Sequence, residues 1–162
     1  MNRLLKLENL LLEVIRQQEG KIVQRDETLD WERIHMASSA RVAWLLALER
    51  GADPEMAACA AAVHDFGRIL TGEQKDHAAA GYLPVKDFLQ QSGLFSVDEI
   101  EIISRAVKNH SNKTQVGSLI EEIVKDADVI DCYQYGYPFD RPEKERRYQK
   151  WLKEKYDERE NH

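Results

Sequence analysis

Apolar residues recur along this chain at steps of three and four, the spacing that lines one face of an α-helix. Leu4, Leu7, Leu11 and Val14/Ile15 predict a first amphipathic helix that ends near Gly20. A second is predicted from about Asp30, in the N-cap position, to Arg50, where Gly51 stops it. Asp53-Pro54 opens a third, with proline in the first turn, where its missing amide hydrogen costs nothing. That helix runs from Met56 to Val63 with almost no polar side, which predicts burial all round. It reaches His64-Asp65 and is expected to stop at Gly67. A fourth helix spans roughly 75–91, kinked at Pro84. Ser96-Val97-Asp98-Glu99 reads as a capping box and starts a fifth, which reaches about Asn109. A sixth covers 115 to about 135; Gly136-Tyr137-Pro138 breaks it, and a polar seventh runs from Pro142 to about Asp157. No run of five or more residues alternates strictly as a strand would. The fold class is therefore all-α, a bundle of about six to seven helices in one domain, 1–162. Its core falls at about 30–135, with the helices at 1–20 and 142–157 peripheral. Arg68 to Gln74 and Ser111 to Thr114 are expected to be mobile rims.

Placed on these helices, the titratable residues face inward. Ile100, Ile103, Val107 and His110 continue one stripe, and Ile120, Val124 and Asp128 another. Trp31, His35 and Val42 lie near one face, with the small Ser38 and Ser39 beside the imidazole. His64 follows Ala57, Ala60 and Ala61 on the most apolar helix, and His77 opens the fourth helix. The fifth histidine, His162, reads as a solvated tail. A single histidine on an apolar stripe is more often a hydrogen-bonded core residue, and Asp126 or Asp131 could take the part of Asp128. The joint arrangement is harder to explain without a ligand. A buried carboxylate without compensation costs several kcal/mol, and coordination of a cation removes that penalty. Mixed imidazole and carboxylate suit one or two divalent transition ions such as Fe, Mn, Zn, Co or Ni. His64 and Asp65 point about 100° apart on a helix, so they share an ion only near a helix end.

Composition narrows the partners. The chain has 162 residues, 43% of them hydrophobic and 32% charged, ordinary for one soluble domain with a real core. Its net charge of −6 argues against a nucleic-acid polymer as partner. A small anion stays open, because bound cations invert the local field. The late basic cluster from Arg141 to Lys155 is interleaved with Glu143, Glu145 and Glu154 and reads as a solvated face. Cys59 and Cys132 are too few for a disulfide framework and read as reduced thiols. No apolar run is long enough to span a bilayer, and the first residues lack a secretory core. A cytoplasmic location, with no membrane partner, is expected. The apolar first helix could pack in the bundle or pair with a second copy as a homodimer.

The order His35, His64-Asp65, Gly67, Asp128 resembles the HD-domain superfamily of metal-dependent phosphohydrolases. His64-Asp65-Phe66-Gly67-Arg68 is similar to the HD-x-G-(Lys/Arg) core of its HDIG branch. Phe66 stands where an aliphatic residue is usual, and Arg68 stands for the commoner lysine. Asp76-His77-Ala-Ala-Ala-Gly81 is similar to that branch's helix with a histidine four residues before a glycine. Val107-Lys-Asn-His110 and Lys125-Asp-Ala-Asp128 resemble its later ligand segments. The likeness covers about 30–135 and implies an HD-domain helical bundle. It implies that His35, His64, Asp65 and Asp128 hold one ion, and that His77 and His110 join a bridging Asp65 on a second. Gly136-Tyr137-Pro138 follows the last aspartate, so it does not match the glycine-tyrosine-proline element of cyclic-dinucleotide phosphodiesterases.

The resemblance implies hydrolysis of a small phosphorylated substrate, a nucleotide being the expected class. Paired ions acidify a water and offset charge on a phosphate. Asp65 would orient the nucleophile and take its proton. Arg68 would grip a phosphate oxygen in bidentate fashion, and Lys113 is a second candidate for substrate binding. Two other classes share the ligand order: HD-fold mixed-valent diiron oxygenases and non-catalytic metal-binding HD modules.

Overall fold

In a computed structural model of the chain, the described residues, 3–160, form eight helices and contain no strand. They are α1 (Arg3–Arg16), α2 (Leu29–Arg50), α3 (Pro54–Ala62), α4 (Phe66–Thr71), α5 (His77–Ser92), α6 (Val97–Asn109), α7 (Leu119–Gln134) and α8 (Pro142–Glu160). The alanine-rich α3 is the axis of the bundle. Ala57 to Ala61, including Cys59, are wholly buried, and α1, α2, α6 and α7 all pack against it. Small side chains let four neighbours approach one short helix closely, which a run of larger residues would prevent. The first helix turns its stripe of Leu4, Leu7, Leu11 and Ile15 into this core. A second packing unit, α4 with α5 and α6, closes one end of the bundle. The polar α8 leans on α7 through Tyr148, Trp151 and the Arg147 pairs with Glu122 and Asp126.

The helix starts follow local chemistry. Ser96 and Glu99 form the expected reciprocal capping box, and Ser118 with Glu121 forms another at the start of α7. That second box sets the start of α7 at Leu119, four residues after the 115 expected from the sequence. The N-cap of α2 is Thr28, whose hydroxyl accepts the Trp31 amide hydrogen at 3.0 Å, rather than Asp30. Gly51 ends α2 in the left-handed region (φ 71°), and Pro84 is carried inside α5.

The short α4 is the departure that matters. The third helix ends at Ala62, before His64-Asp65, and Gly67 lies inside the next helix instead of ending one. Its role is close approach. A Cβ on Gly67 would lie 2.0 Å from the His77 carbonyl oxygen, and one on Gly81 would lie 2.9 Å from the Gly67 nitrogen. The two glycines let α4 cross α5 at backbone contact, which brings His77 over Asp65. The expected rim at 68–74 is thus half helix, and in the expected rim at 111–114 Lys113 is buried. No described helix is long and apolar enough to cross a membrane. His162 lies outside the described residues.

Candidate metal centre

Six side chains from five places in the chain converge between the two packing units. His35 comes from α2, His64 and Asp65 from the turn joining α3 to α4, and His77 from the first residue of α5. His110 caps the C-terminus of α6, and Asp128 lies on α7. The four histidines and Asp65 are buried, and Asp128 is partly so.

Asp65 divides its two oxygens. Its Oδ2 lies 3.4 Å from His35 Nε2 and 3.2 Å from His64 Nε2. Its Oδ1 lies 3.0 Å from His77 Nε2 and 3.5 Å from His110 Nε2. Asp128 Oδ1 joins the first group, 3.3 Å from His35 Nε2 and 3.6 Å from His64 Nε2. The imidazole nitrogens within each group are 3.1 Å apart (His35, His64) and 2.9 Å apart (His77, His110).

Hydrogen bonding on the far side of each ring decides what these nitrogens are. His64 Nδ1 is 2.6 Å from the Ala61 carbonyl, His77 Nδ1 is 2.6 Å from that of Gln74, and His110 Nδ1 is 2.7 Å from that of Val107. In each case the acceptor lies three residues back along the chain. His35 Nδ1 is 2.7 Å from Asp131 Oδ2, which Ser38 Oγ also approaches at 2.7 Å as a donor. A carbonyl can only accept, so Nδ1 carries the hydrogen and a neutral ring presents a lone pair at Nε2. Two such lone pairs facing each other at about 3 Å repel unless a positive charge sits between them. Fixing Nδ1 with an oxygen is how proteins orient metal-ligating histidines.

The spacing fits such a charge. His35 Nε2 and His64 Nε2 are 3.1 Å apart, and each lies 3.2–3.6 Å from Asp65 Oδ2 and from Asp128 Oδ1. His35, His64 and Asp65 are thus close enough together to share one ion of the zinc class, whose bonds to nitrogen or oxygen are about 2.0 Å long, with Asp128 adjoining both imidazoles. The second group holds one donor that was not expected from the sequence. Ser111 Oγ lies 3.5 Å from His77 Nε2 and 3.4 Å from His110 Nε2, completing a set with Asp65 Oδ1. Ser111 adjoins His110 in the chain, which was the available signal.

Charge distinguishes the two groups. Burial disfavours protonation of His64, but Asp65 and Asp128 outweigh it and raise its pKa to about 9. At His110 burial prevails, helped by the neighbouring His64 and His77, and the pKa falls to about 3. Both aspartates stay well below the usual carboxylate range despite burial, Asp65 held by Arg68 and His64, Asp128 by Lys113 and His35.

The two cations nominated for phosphate are already engaged. Arg68 donates to Glu32 at 2.7 and 3.2 Å, to Gln74 Oε1 at 2.6 Å, and to Asp65 Oδ2. Glu32, one turn before His35, is 1% exposed, and it was not foreseen. Arg68 still touches the cavity described below, but as the buckle between Asp65 and Glu32. Lys113 corrects the expectation more sharply. Its side chain is wholly buried and its Nζ lies 2.6 Å from Asp128 Oδ2, so it steadies a candidate ligand and does not line the cavity. A lone surface lysine and a buried one look alike in sequence.

A cavity of about 300 Å³ opens over Asp65, His77, His110 and Asp128. Its opposite wall comes from the chain after α7, with Tyr137, Phe139, Arg141 and Lys144, and from Asp26, Glu27 and Trp31 beside the start of α2. Trp31 stacks on His35 (centroids 4.9 Å, 14° between planes) and meets Tyr137 at 4.6 Å. Cys132 borders the cavity too, with Sγ 3.5 Å from Asp128 Oδ1. The stretch 137–144 had read as a helix break and a solvated face.

The chain belongs to the HD domain family, which matches residues 33–133, the span holding all six converging side chains. It is similar to ribonuclease Y of Cutibacterium acnes, 35% identical over 104 residues, and to ribonuclease Y of Thermobifida fusca, 29% identical over 97 residues. Those stretches cover 63% and 59% of this chain but 18% of each ribonuclease Y, so the likeness is to one part of much longer proteins. A solved structure described as a predicted HD superfamily hydrolase, from an uncultured Thermotogales bacterium, superposes with a TM-score of 0.61 at 23% identity. It covers 94% of this chain and 88% of its own, and shares the fold.

Proposed function

We propose that this protein is a metal-dependent phosphohydrolase that cleaves a phosphoester of a small molecule, a nucleotide being the class that suits the site. The observation that carries the reading is Asp65, whose two oxygens face two separate pairs of oriented imidazoles at the floor of a cavity. His35, His64, Asp65 and Asp128 would hold one divalent ion, and His77, His110 and Asp65 a second. Bound there, such ions supply an acidified water and neutralise charge on phosphate oxygens.

The chain's own groups supply the rest. Arg68 and Glu32 fix Asp65 in rotation, so that each oxygen keeps its own imidazole pair. Lys113 does the same for Asp128 from the other side. Positioning of this kind lowers the cost of reaching the transition state because little reorganises during reaction. The half-buried ring of Tyr137, backed by Trp31, gives the wall an aromatic surface for a nucleobase. The cavity volume, about 300 Å³, is at the small end for ligand sites and favours a single nucleotide over a polymer.

The test is Asp65→Asn, which keeps size and removes charge. The reading expects metal content measured by elemental analysis to drop towards zero, and hydrolysis across a panel of nucleoside phosphates to fall by about a thousandfold or more. Full activity in that variant, or wild-type turnover that requires dioxygen instead of water, would sink it.

A further inference from the structure

We infer that Arg141 and Lys144 form a subsite for a second anionic group, so that the substrate is a phosphoester carrying another phosphate beside the one that is cleaved. The inference rests on the phosphohydrolase reading above and deepens it.

Among the cavity's lining residues the cations are Arg68, Arg141 and Lys144. Arg68 is spent on two buried carboxylates, Glu32 and Asp65. Releasing it would strand both charges out of water, which is costly. Arg141 and Lys144 are held differently. The Arg141 side chain is 40% exposed and its carboxylate partner, Glu143, is 3.4 Å away. The partner of Lys144 is Asp140, at 2.7 Å but 63% exposed. Exposed pairs of this kind contribute little and exchange readily for a better anion.

Arg141 is also placed and not merely present. Its Nη1 donates to the Ser111 carbonyl at 3.1 Å, and Ser111 Oγ lies within 3.5 Å of His77 and His110 Nε2. One end of the guanidinium is thereby anchored beside the second imidazole pair. Its remaining N–H groups are free for the planar, two-pronged contact that arginine makes with phosphate. Lys144 follows three residues later, in the first turn of α8, and lines the same cavity. Neither residue lies on an element that supplies an imidazole or carboxylate to the centre. An anion already neutralised by the centre needs no further pair of charges, so these two serve a neighbouring one.

Calorimetric titration of the Mn²⁺-loaded full-length protein with AMP and with ADP tests this. The wild type is expected to bind ADP at least about tenfold tighter than AMP. The double variant Arg141→Ala/Lys144→Ala is expected to lose that preference while its AMP affinity changes by less than about threefold. Arg141→Lys should keep part of the preference, and Lys144→Glu should invert it. A wild type that binds AMP as tightly as ADP, or a double variant that keeps the full preference, overturns the subsite and leaves the phosphohydrolase reading standing. A loaded wild type that binds neither nucleotide and hydrolyses no phosphoester defeats both.

Discussion

The two ends of Asp65 are built from different parts of the fold, and they are not equivalent. The Oδ2 end draws on α2 and α7, the long helices packed across the alanine-rich α3, and gathers two imidazoles and two carboxylate oxygens. Beyond them stand Asp131, Lys113 and Cys132. The Oδ1 end draws on α5 and α6 and gathers two imidazoles, one carboxylate oxygen and the Ser111 hydroxyl. The first end concentrates negative charge, enough to raise the His64 pKa to about 9, whereas at the second the His110 pKa falls to about 3. Metal affinity follows donor charge, so the first position should fill before the second and hold its ion more tightly. On the proposed reading a shared carboxylate would join a stronger position to a weaker one, and the weaker one borders Arg141.

The comparison can be broken most severely at its hinge. Asp65→Asn should empty both positions at once, and a variant retaining one full equivalent of metal would show that the ends do not depend on a common carboxylate. Next in size is Gly67→Ala. Its Cβ would meet the His77 carbonyl at 2.0 Å, so α5 must move. The expected loss is about 3 kcal/mol in chemical denaturation, the upper range for overpacking, and the metal missing from the folded variant should be the second equivalent. Asp131→Asn separates the ends from the other side. It loosens His35, whose Nδ1 Asp131 holds, and loss of such a partner behind a ligand weakens binding by about ten- to a hundredfold. Competition with a chelator should show that loss for the first equivalent only.

Smaller still, Ser111→Ala should weaken the second equivalent by roughly tenfold or less, at the lower bound of outer-contact effects. Manganese spin coupling, present when both positions are filled, reports that occupancy directly. The smallest effect concerns the wall. Glu122 is pushed down to about 2 because the Gly117 amide, Lys125 and Arg147 outweigh its partial burial. A depressed carboxylate stabilises the fold above its ordinary value near 4.5, and that contribution is lost as pH falls towards 2. Since Arg147 ties α8 to α7, Glu122→Gln should flatten the acid side of the melting profile slightly while leaving neutral-pH metal content alone.

Several of these features are legible in the sequence itself. Helical spacing placed His110 on the stripe of Ile103 and Val107, and both are wholly buried beside it. The capping box at Ser96 and the glycine stop at Gly51 depend on atoms within a few residues, and both form as read. Gly67 was misread because a glycine after a helical run usually ends it, whereas here it serves a crossing with Gly81, fourteen positions away. Glu32 and Asp131 sit three residues from His35 and Asp128, on the same faces. The spacing was visible, but spacing alone does not tell a partner from a solvated acid. Lys113 differs for the same reason, because its partner Asp128 lies on α7 and not in its own loop.

What the sequence determined by itself was the set of helices and the inward-facing order of four histidines and two aspartates. Those follow from periodicity and capping, which act over one or two turns. Only the tertiary structure decided which oxygen of Asp65 faces which pair, which lysine or arginine is spent, and which wall closes the cavity. Each of those is a matter of distance between groups remote in the chain, where a shift of an ångström changes a ligand into a bystander.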